Sequence, residues 1–342
     1  MKIESIGLSL PSREVSNEEI IDLIRYNSKH TFLGDLEKAL RKVRVILKKT
    51  GAENRLWLNK QINEKPIDHI KIAVDDALKQ ANLAKNDIDV LIYVGIGKGF
   101  LEPAQSYFVA KALGMDGVRC FDITDACMSW MTGMQMLDAL FKTGSCKKAM
   151  IVNAEFTVNA GPLFKNFSLQ SEAQLEYTFP TFTIGEASTC TIVSHDINDN
   201  FLFNFISRSD LADLCVIPTP DYKYYSIDTD KLAMNGVMHF TSFGADLHNY
   251  GMSDCLKVVK DNNVDIVFTH ASSKSEWQRF ANEVGLGEKI YHIYQDTGNL
   301  VSASIPASIK IALNNNKISK GNKILCWVGS AGMSFGSAKF VL

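Results

Sequence analysis

The sequence predicts an α/β fold made of two similar halves. Three observations carry this. Short β-rich runs alternate with helical patterns along the chain, as in sheets covered by helices. Two of those runs return about half a chain later. The stretch "FDITDACMSWMTG" (121–133) turns a strand into a segment apolar on nearly every side, the pattern of a helix buried mid-molecule.

The strand signals are "DVLIYVG" (89–95), "RCFDI" (119–123), "KAMIVNAE" (148–155), "VDIVFTHA" (264–271) and "KILCWVGSAG" (323–332). Between them lie helix signals at "IDHIKIAVDDALKQANL" (67–83), "AQSYFVAKALG" (104–114) and "IPASIKIALNNN" (305–316). "NDIDVLIYVG" begins at 86 and "NNVDIVFTH" at 262; "KKAMIVNAE" begins at 147 and "NKILCWVGS" at 322. Both pairs are roughly 175 residues apart, which reads as an internal duplication. The expected division is an N-terminal half, 1–175, and a C-terminal half, 176–342. The irregular stretch 157–182 is too long for an ordinary connection and too apolar for disorder, so it is expected to cap or line a site.

Bulk properties narrow the class. With 342 residues, 46% hydrophobic and 22% charged, the chain has ample material for a large core. A net charge of −2 argues against a nucleic-acid surface. No apolar run approaches the roughly 20 residues needed to span a membrane, and "MKIESIGLSLPSREVS" carries no export signal. Seven scattered cysteines without CxxC pairs then suggest reduced thiols, a cytoplasmic setting and no zinc site. The basic stretch "EKALRKVRVILKKTG" (37–51) reads mainly as a solvated helix face, with docking of an acidic or phosphate-bearing partner as the sharper alternative.

Cys127 sits where the strand 119–123 turns into the buried helix. A helix N-terminus there would favour the thiolate and could hold an oxyanion. Cys is also a common core filler, and the stretch alone leaves both readings open. A nucleophile needs a base and positioning groups. His270 ends a buried strand in "DIVFTHASS", and strand ends are where sites collect in open α/β sheets. Asn299 lies in the Gly-led loop "QDTGNLVSASIP", and Gly332 in the Gly-rich "GSAGMSFG" (329–336). The remaining histidines, at 30, 69, 195, 239, 248 and 292, read as structural.

These residues together resemble the thiolase superfamily, most closely the β-ketoacyl-ACP synthase III-like condensing enzymes. "GLSLPSREVSNEEI", "KKTGAENR", "DITDACMSW", "FTIGEASTCTIVS", "MNGVMHF", "THASS", "TGNLVSASIP" and "WVGSAGMSFGSA" follow that family's order nearly end to end. The resemblance implies a thiolase-like, five-layered αβαβα fold of two duplicated halves, acting as a homodimer or with a related subunit. By carry-over, Cys127 takes an acyl group from a CoA or acyl-carrier-protein (ACP) thioester. His270 and Asn299 hold the second thioester's carbonyl, and the N–H groups of Cys127 and Gly332 form the oxyanion hole. No bound cofactor or metal is implied; the thioesters themselves carry CoA or phosphopantetheine.

Lys49, Glu102, Met128, Asn235 and Ser273 stand at positions that the resemblance links to substrate binding. Several depart from the family pattern. Ala271, Ser272 and Ser273 replace the usual Gln-Ala-Asn. Val45 stands near the adenine-stacking Trp, Lys49 at its neighbouring Arg, and Thr241 near a carrier-docking basic residue. Glu102 replaces an apolar residue that crosses the dimer to the partner's acyl pocket. These differences point away from housekeeping fatty-acid initiation. The reaction that the resemblance implies, decarboxylative Claisen condensation with a malonyl- or β-keto-thioester, would then serve a specialised pathway for a secondary metabolite or signal. Acyl transfer to an alcohol or amine is the alternative, and a catalytically silent partner subunit is a second. A papain-like protease shares the Cys-His-Asn order but lacks the surrounding motif.

Overall fold

The computed structural model describes residues 1–158, 167–197, 201–227 and 229–342. Part of the expected cap, 159–166, lies outside the described residues. Two five-stranded sheets dominate. The first contains β1 (Lys2–Ser9), β2 (Val90–Val94), β3 (Arg119–Ile123), β4 (Lys148–Glu155) and β5 (Ala187–Ser194), in the order β1-β5-β4-β2-β3. The second contains β6 (Leu202–Ser207), β7 (Ile266–Thr269), β8 (Ile290–Tyr291), β9 (Lys323–Ser330) and β10 (Ser334–Val341), in the order β6-β10-β9-β7-β8.

The two sheets share one plan. In each, the first strand of the half pairs antiparallel with the last, the last pairs antiparallel with the fourth, and the remaining pairs are parallel. The recurring runs of the sequence are equivalent strands in this plan: β2 matches β7, and β4 matches β9. The strand at 187–194, which falls inside the expected C-terminal half, completes the first sheet. It pairs over its full length with β4 and along most of β1. The changeover between sheets therefore falls after Ser194 rather than at 175/176.

Alternation of side chains builds the five layers. On β2, Leu91 and Tyr93 face an outer layer made by α1 (Pro66–Ala81) and α2 (Gln105–Leu113). Val90, Ile92 and Val94 face the centre. On β9, Ile324, Cys326 and Val328 face the same centre, whereas Leu325 and Trp327 face outward. Their outer layer is α4 (Gly244–Lys257) and α5 (Lys274–Glu283). The central layer is α3 (Ser129–Lys142) and α6 (Ser304–Asn314), both buried between the sheets. Burial on two sides explains why α3 is apolar nearly all round, with Trp130, Met131, Met134, Leu137 and Phe141 all at most 3% exposed. The molecule is a thiolase-like αβαβα fold.

No helix opens at "MNGVMHF"; the next one begins at Gly244. Residues 241–242 instead form a short bridge with Cys215–Val216, and this bridge brings Cys215 into the active-site region.

Candidate active site

Both central helices begin beside the same cavity, of about 460 Å³. It is lined by Cys127 ahead of α3, His270 after β7, and Asn299 ahead of α6. Three residues distant in sequence converge because equivalent strand ends and central helices of the two halves face each other.

Cys127 occupies a tight elbow. Ala126 holds φ at +43°, a region that non-glycine residues seldom enter. Residues Ala126–Met128 make one 3-10 turn before α3 starts at Ser129. The elbow is braced on both sides. The Ser129 hydroxyl donates to the Ala126 carbonyl at 2.7 Å and accepts the Asp125 N–H at 2.8 Å. The Met128 N–H donates to the Asp125 carbonyl at 2.9 Å and to Ser330 Oγ at 3.2 Å, across the junction of the halves.

The elbow was expected to lower the thiol pKa. The opposite holds: burial pushes the Cys127 thiol well above its usual value, and Cys215 and Glu155 add to the rise. A backbone hydrogen bond pulls the other way but does not overcome desolvation. Cys127 therefore rests as a thiol.

His270 is 5% exposed, and burial lowers its pKa to about 4, so the imidazole is neutral near pH 7. A hydrogen bond to the Val301 backbone works against that lowering. Ser304 Oγ lies 3.5 Å from Nδ1 and itself donates to the Val301 carbonyl at 2.9 Å. A carbonyl can only accept, so the ring nitrogen on that side carries the proton. The opposite nitrogen then has a lone pair, able to take a proton.

Asn299 is fixed by its backbone and its side chain. Its N–H donates to the Thr183 carbonyl at 2.8 Å, and its carbonyl accepts the Gly185 N–H at 2.9 Å. Its Oδ1 accepts the Val301 N–H at 2.8 Å, which leaves Nδ2 as a donor for a ligand. Gly298 must be glycine here. Its φ is +68°, and a Cβ would stand 2.5 Å from the Thr183 carbonyl and 2.9 Å from Arg55 Cβ.

The other expected residues divide. Ser273, 2% exposed, lines the cavity and caps α5. Lys49 is exposed at the mouth, beside Ile46 and Thr50. Gly332 is exposed in the β9–β10 turn with φ +124°, and its neighbours Ser330 and Ala331 line the cavity instead. Met128 is 1% exposed and packs against Gly336 between the halves, away from the cavity wall. Asn235 is tied elsewhere: Oδ1 accepts the Thr178 hydroxyl at 2.8 Å, and Nδ2 donates to the Phe240 carbonyl at 2.8 Å. Glu102 lies in an exposed loop outside its own cavity.

Cys215 and His248 are among the lining residues that escaped the sequence reading. Cys215 faces the cavity from the short bridge, its thiol raised by burial to about 11. His248 faces it from α4, packed edge-on to Phe280. Neither had a local signal: Cys215 is placed by the irregular path of 209–243, and His248 by the helix that follows that path. Among the described residues, no group of three or more His, Cys, Asp or Glu is arranged to hold a metal.

Known proteins share this fold. The family model for 3-oxoacyl-[acyl-carrier-protein] synthase III matches residues 121–160, and the model of its C-terminal part matches 257–341. The first span holds Cys127; the second holds His270 and Asn299. The chain is a β-ketoacyl-ACP synthase III-like protein of the thiolase superfamily. It thus falls in an acyltransferase family.

This synthase III-like chain is 26% identical over 304 residues to β-ketoacyl-ACP synthase III of Campylobacter jejuni subsp. doylei, covering 86% of this chain and 87% of that one. The synthase III of Clostridium perfringens is 22% identical, with 98% of each chain covered. Among solved structures, 3-oxoacyl-ACP synthase III of Aquifex aeolicus superposes with a TM-score of 0.79 at 18% identity, covering 100% of this chain and 99% of the other. OleA of Xanthomonas campestris, solved with bound lauric acid and lauroyl-CoA, superposes with a TM-score of 0.80 at 17% identity, covering 99% and 98%. At such identities these structures speak to the fold.

Proposed function

We propose that this synthase III-like protein loads an acyl group from a CoA or ACP thioester onto Cys127 and joins it to a second thioester by decarboxylative Claisen condensation. The observation that carries this is the convergence of Cys127, a neutral His270 and the free Asn299 Nδ2 on one cavity.

In the first half-reaction, Cys127 Sγ attacks the donor carbonyl as its proton passes to the lone-pair nitrogen of His270. The C–S bond of the donor breaks, and the departing CoA or pantetheine thiolate takes that proton back. Burial favours this concerted route, since neither a free thiolate nor a lasting imidazolium is stable there. In the second, a malonyl-thioester loses CO2, and the electron pair of the broken C–C bond moves onto its carbonyl oxygen. Asn299 Nδ2 donates to that oxygen. The resulting enolate carbon attacks the acyl group, and the Cys127 sulfur leaves and regains a proton. The resemblance has His270 and Asn299 hold this carbonyl together; in the present reading Asn299 does so, and His270, its proton on the Val301 side, serves as the proton acceptor.

The cavity suits an apolar chain, with Trp277, Phe280, Met333 and Phe335 on its wall. Delivery of the thioester past Lys49, and a specialised pathway, are part of the same proposal. So is a homodimer, supported by the exposed Phe100, Leu101 and Tyr107 around Glu102. Glu102 would act there on a partner's pocket rather than its own.

The experiment is a malonyl-thioester assay read by mass spectrometry. A product with a new C–C bond and one CO2 per turnover supports condensation. An O- or N-acylated product without CO2 release favours acyl transfer to an alcohol or amine.

A further inference from the structure

Glu155 ends β4 with no exposure to solvent. Its hydrogen-bond partners are all neutral donors. Oε2 accepts the Gly97 N–H at 3.0 Å. Oε1 accepts the Ser302 hydroxyl and, at 3.4 Å, the Ile96 N–H. The direction of the proton chain behind it is fixed. The Thr189 hydroxyl donates to Asn153 Oδ1 at 3.2 Å, and Asn153 Nδ2 donates to Ser302 Oγ at 2.9 Å. Ser302 is thereby left with one proton, which it gives to Glu155. A carboxyl group that meets only donors is in the arrangement its ionised form requires. Burial raises its pKa above the usual carboxylate value, although these donors pull it down.

The residues that hold Glu155 belong to two segments that do not otherwise share a strand. Residues 95–97 follow β2 in the first half and lead toward the exposed loop with Glu102. Ser302 lies in the 3-10 turn Val301–Ala303 of the second half. Gly95, at φ +115°, is moulded to the carboxylate: a Cβ there would meet Glu155 and, at 2.9 Å, Ser302 Oγ. The same turn supplies the Val301 N–H that holds Asn299 Oδ1. We propose that Glu155 is a positioning residue: by clamping Ser302 to the loop 95–97, it fixes the turn that aims Asn299 Nδ2 into the cavity. This rests on the role given to Asn299 above.

Substitution chemistry is restrictive. Glutamine presents an NH2 where an acceptor is needed, facing either the fixed Gly97 N–H or Ser302. Ser302→Ala removes one arm of the clamp without touching the carboxylate, and Ser302→Thr restores the hydroxyl.

The test measures the half-reactions separately in wild type, Glu155→Gln, Ser302→Ala and Ser302→Thr. Cys127 loading is read by intact mass with acyl-CoAs from acetyl to lauroyl, and condensation with malonyl-CoA. Hydrogen exchange is followed in peptides covering 95–104 and 299–304. The clamp predicts faster exchange in both peptides for Ser302→Ala. It predicts loading within about threefold of wild type and condensation down roughly 100-fold, the scale of a catalytic group misplaced by about 1 Å. Ser302→Thr recovers both. Unchanged exchange in 95–104, or loading and condensation falling together, overturns the clamp. If wild type neither loads nor condenses, the proposed function fails instead, and hydrogen exchange alone decides the clamp.

Discussion

Asn299 Oδ1 accepts the Val301 N–H at 2.8 Å, so the side chain that serves the cavity is held by a backbone bond two residues away. One end of the amide is spent on orientation, and the other is free to donate. This is the arrangement a developing enolate oxygen needs, because the donor is placed before charge appears.

Replacing that donor should separate the two steps. Asn299→Asp keeps an oxygen for the Val301 N–H but faces the enolate with negative charge. Condensation should fall about 100-fold to 1,000-fold, the scale for losing one such donor, with Cys127 loading nearly unchanged. Equal losses in both steps would assign Asn299 to loading instead.

The thiol makes a second prediction. Burial holds the Cys127 pKa well above its usual value, so alkylation by iodoacetamide should be slow at neutral pH. It should still be rising above pH 9, without a plateau near neutrality. A plateau below pH 8, followed by peptide mapping to Cys127, would show a resting thiolate and contradict the assignment of His270 as proton acceptor.

Stability should depend on the buried histidines. The folded pKa of His270 and that of His292 are each lowered to about 4 from 6.5, mainly by burial. The fold therefore favours neutral imidazole. That stabilisation is fully present above about pH 6.5 and is lost as pH falls toward 4, because the unfolded chain binds more protons there. For His270 the loss is on the order of 3 kcal/mol across that window. Urea midpoints should fall steadily from pH 6.5 to 4.5, and His292→Gln should flatten the slope. A flat wild-type profile over that range would rule this out.

Gly298 gives a structural check. Alanine there meets both a positive φ and the Thr183 carbonyl, a strain of roughly 1–3 kcal/mol. Gly298→Ala should lower the thermal midpoint by several degrees and slow condensation, since Asn299 is its neighbour. An unchanged midpoint with unchanged kinetics would mean the loop relaxes freely.

Much of this site was legible because duplication and local pattern fix it. β2 and β7, and β4 and β9, recur in sequence because the same buried strand is used twice. Cys127, His270 and Asn299 each sit at a strand end or helix start that hydrophobic pattern reveals. What escaped depends on long-range pairing. The strand 187–194 falls inside the expected C-terminal half, yet its partners β1 and β4 place it in the first sheet. Asn235 and Gly332 stand in suitable motifs, but one side chain is consumed by Thr178 and Phe240, and the other residue is turned to solvent. Cys215 reaches the cavity from a region with no regular period, and His248 from the helix that follows it. Burial also reversed the expected direction of the Cys127 pKa, since a helix terminus is visible in sequence and desolvation is not.

The central claim is that Cys127 carries the acyl group. Its most direct measurement is intact mass after incubation with a series of acyl-CoAs and acyl-ACPs, with Cys127→Ala as control. The expected result is an increase equal to one acyl group, mapped to the peptide with Cys127 and absent from the variant. An unmodified wild-type chain with every thioester, or an adduct that survives in Cys127→Ala, would contradict it.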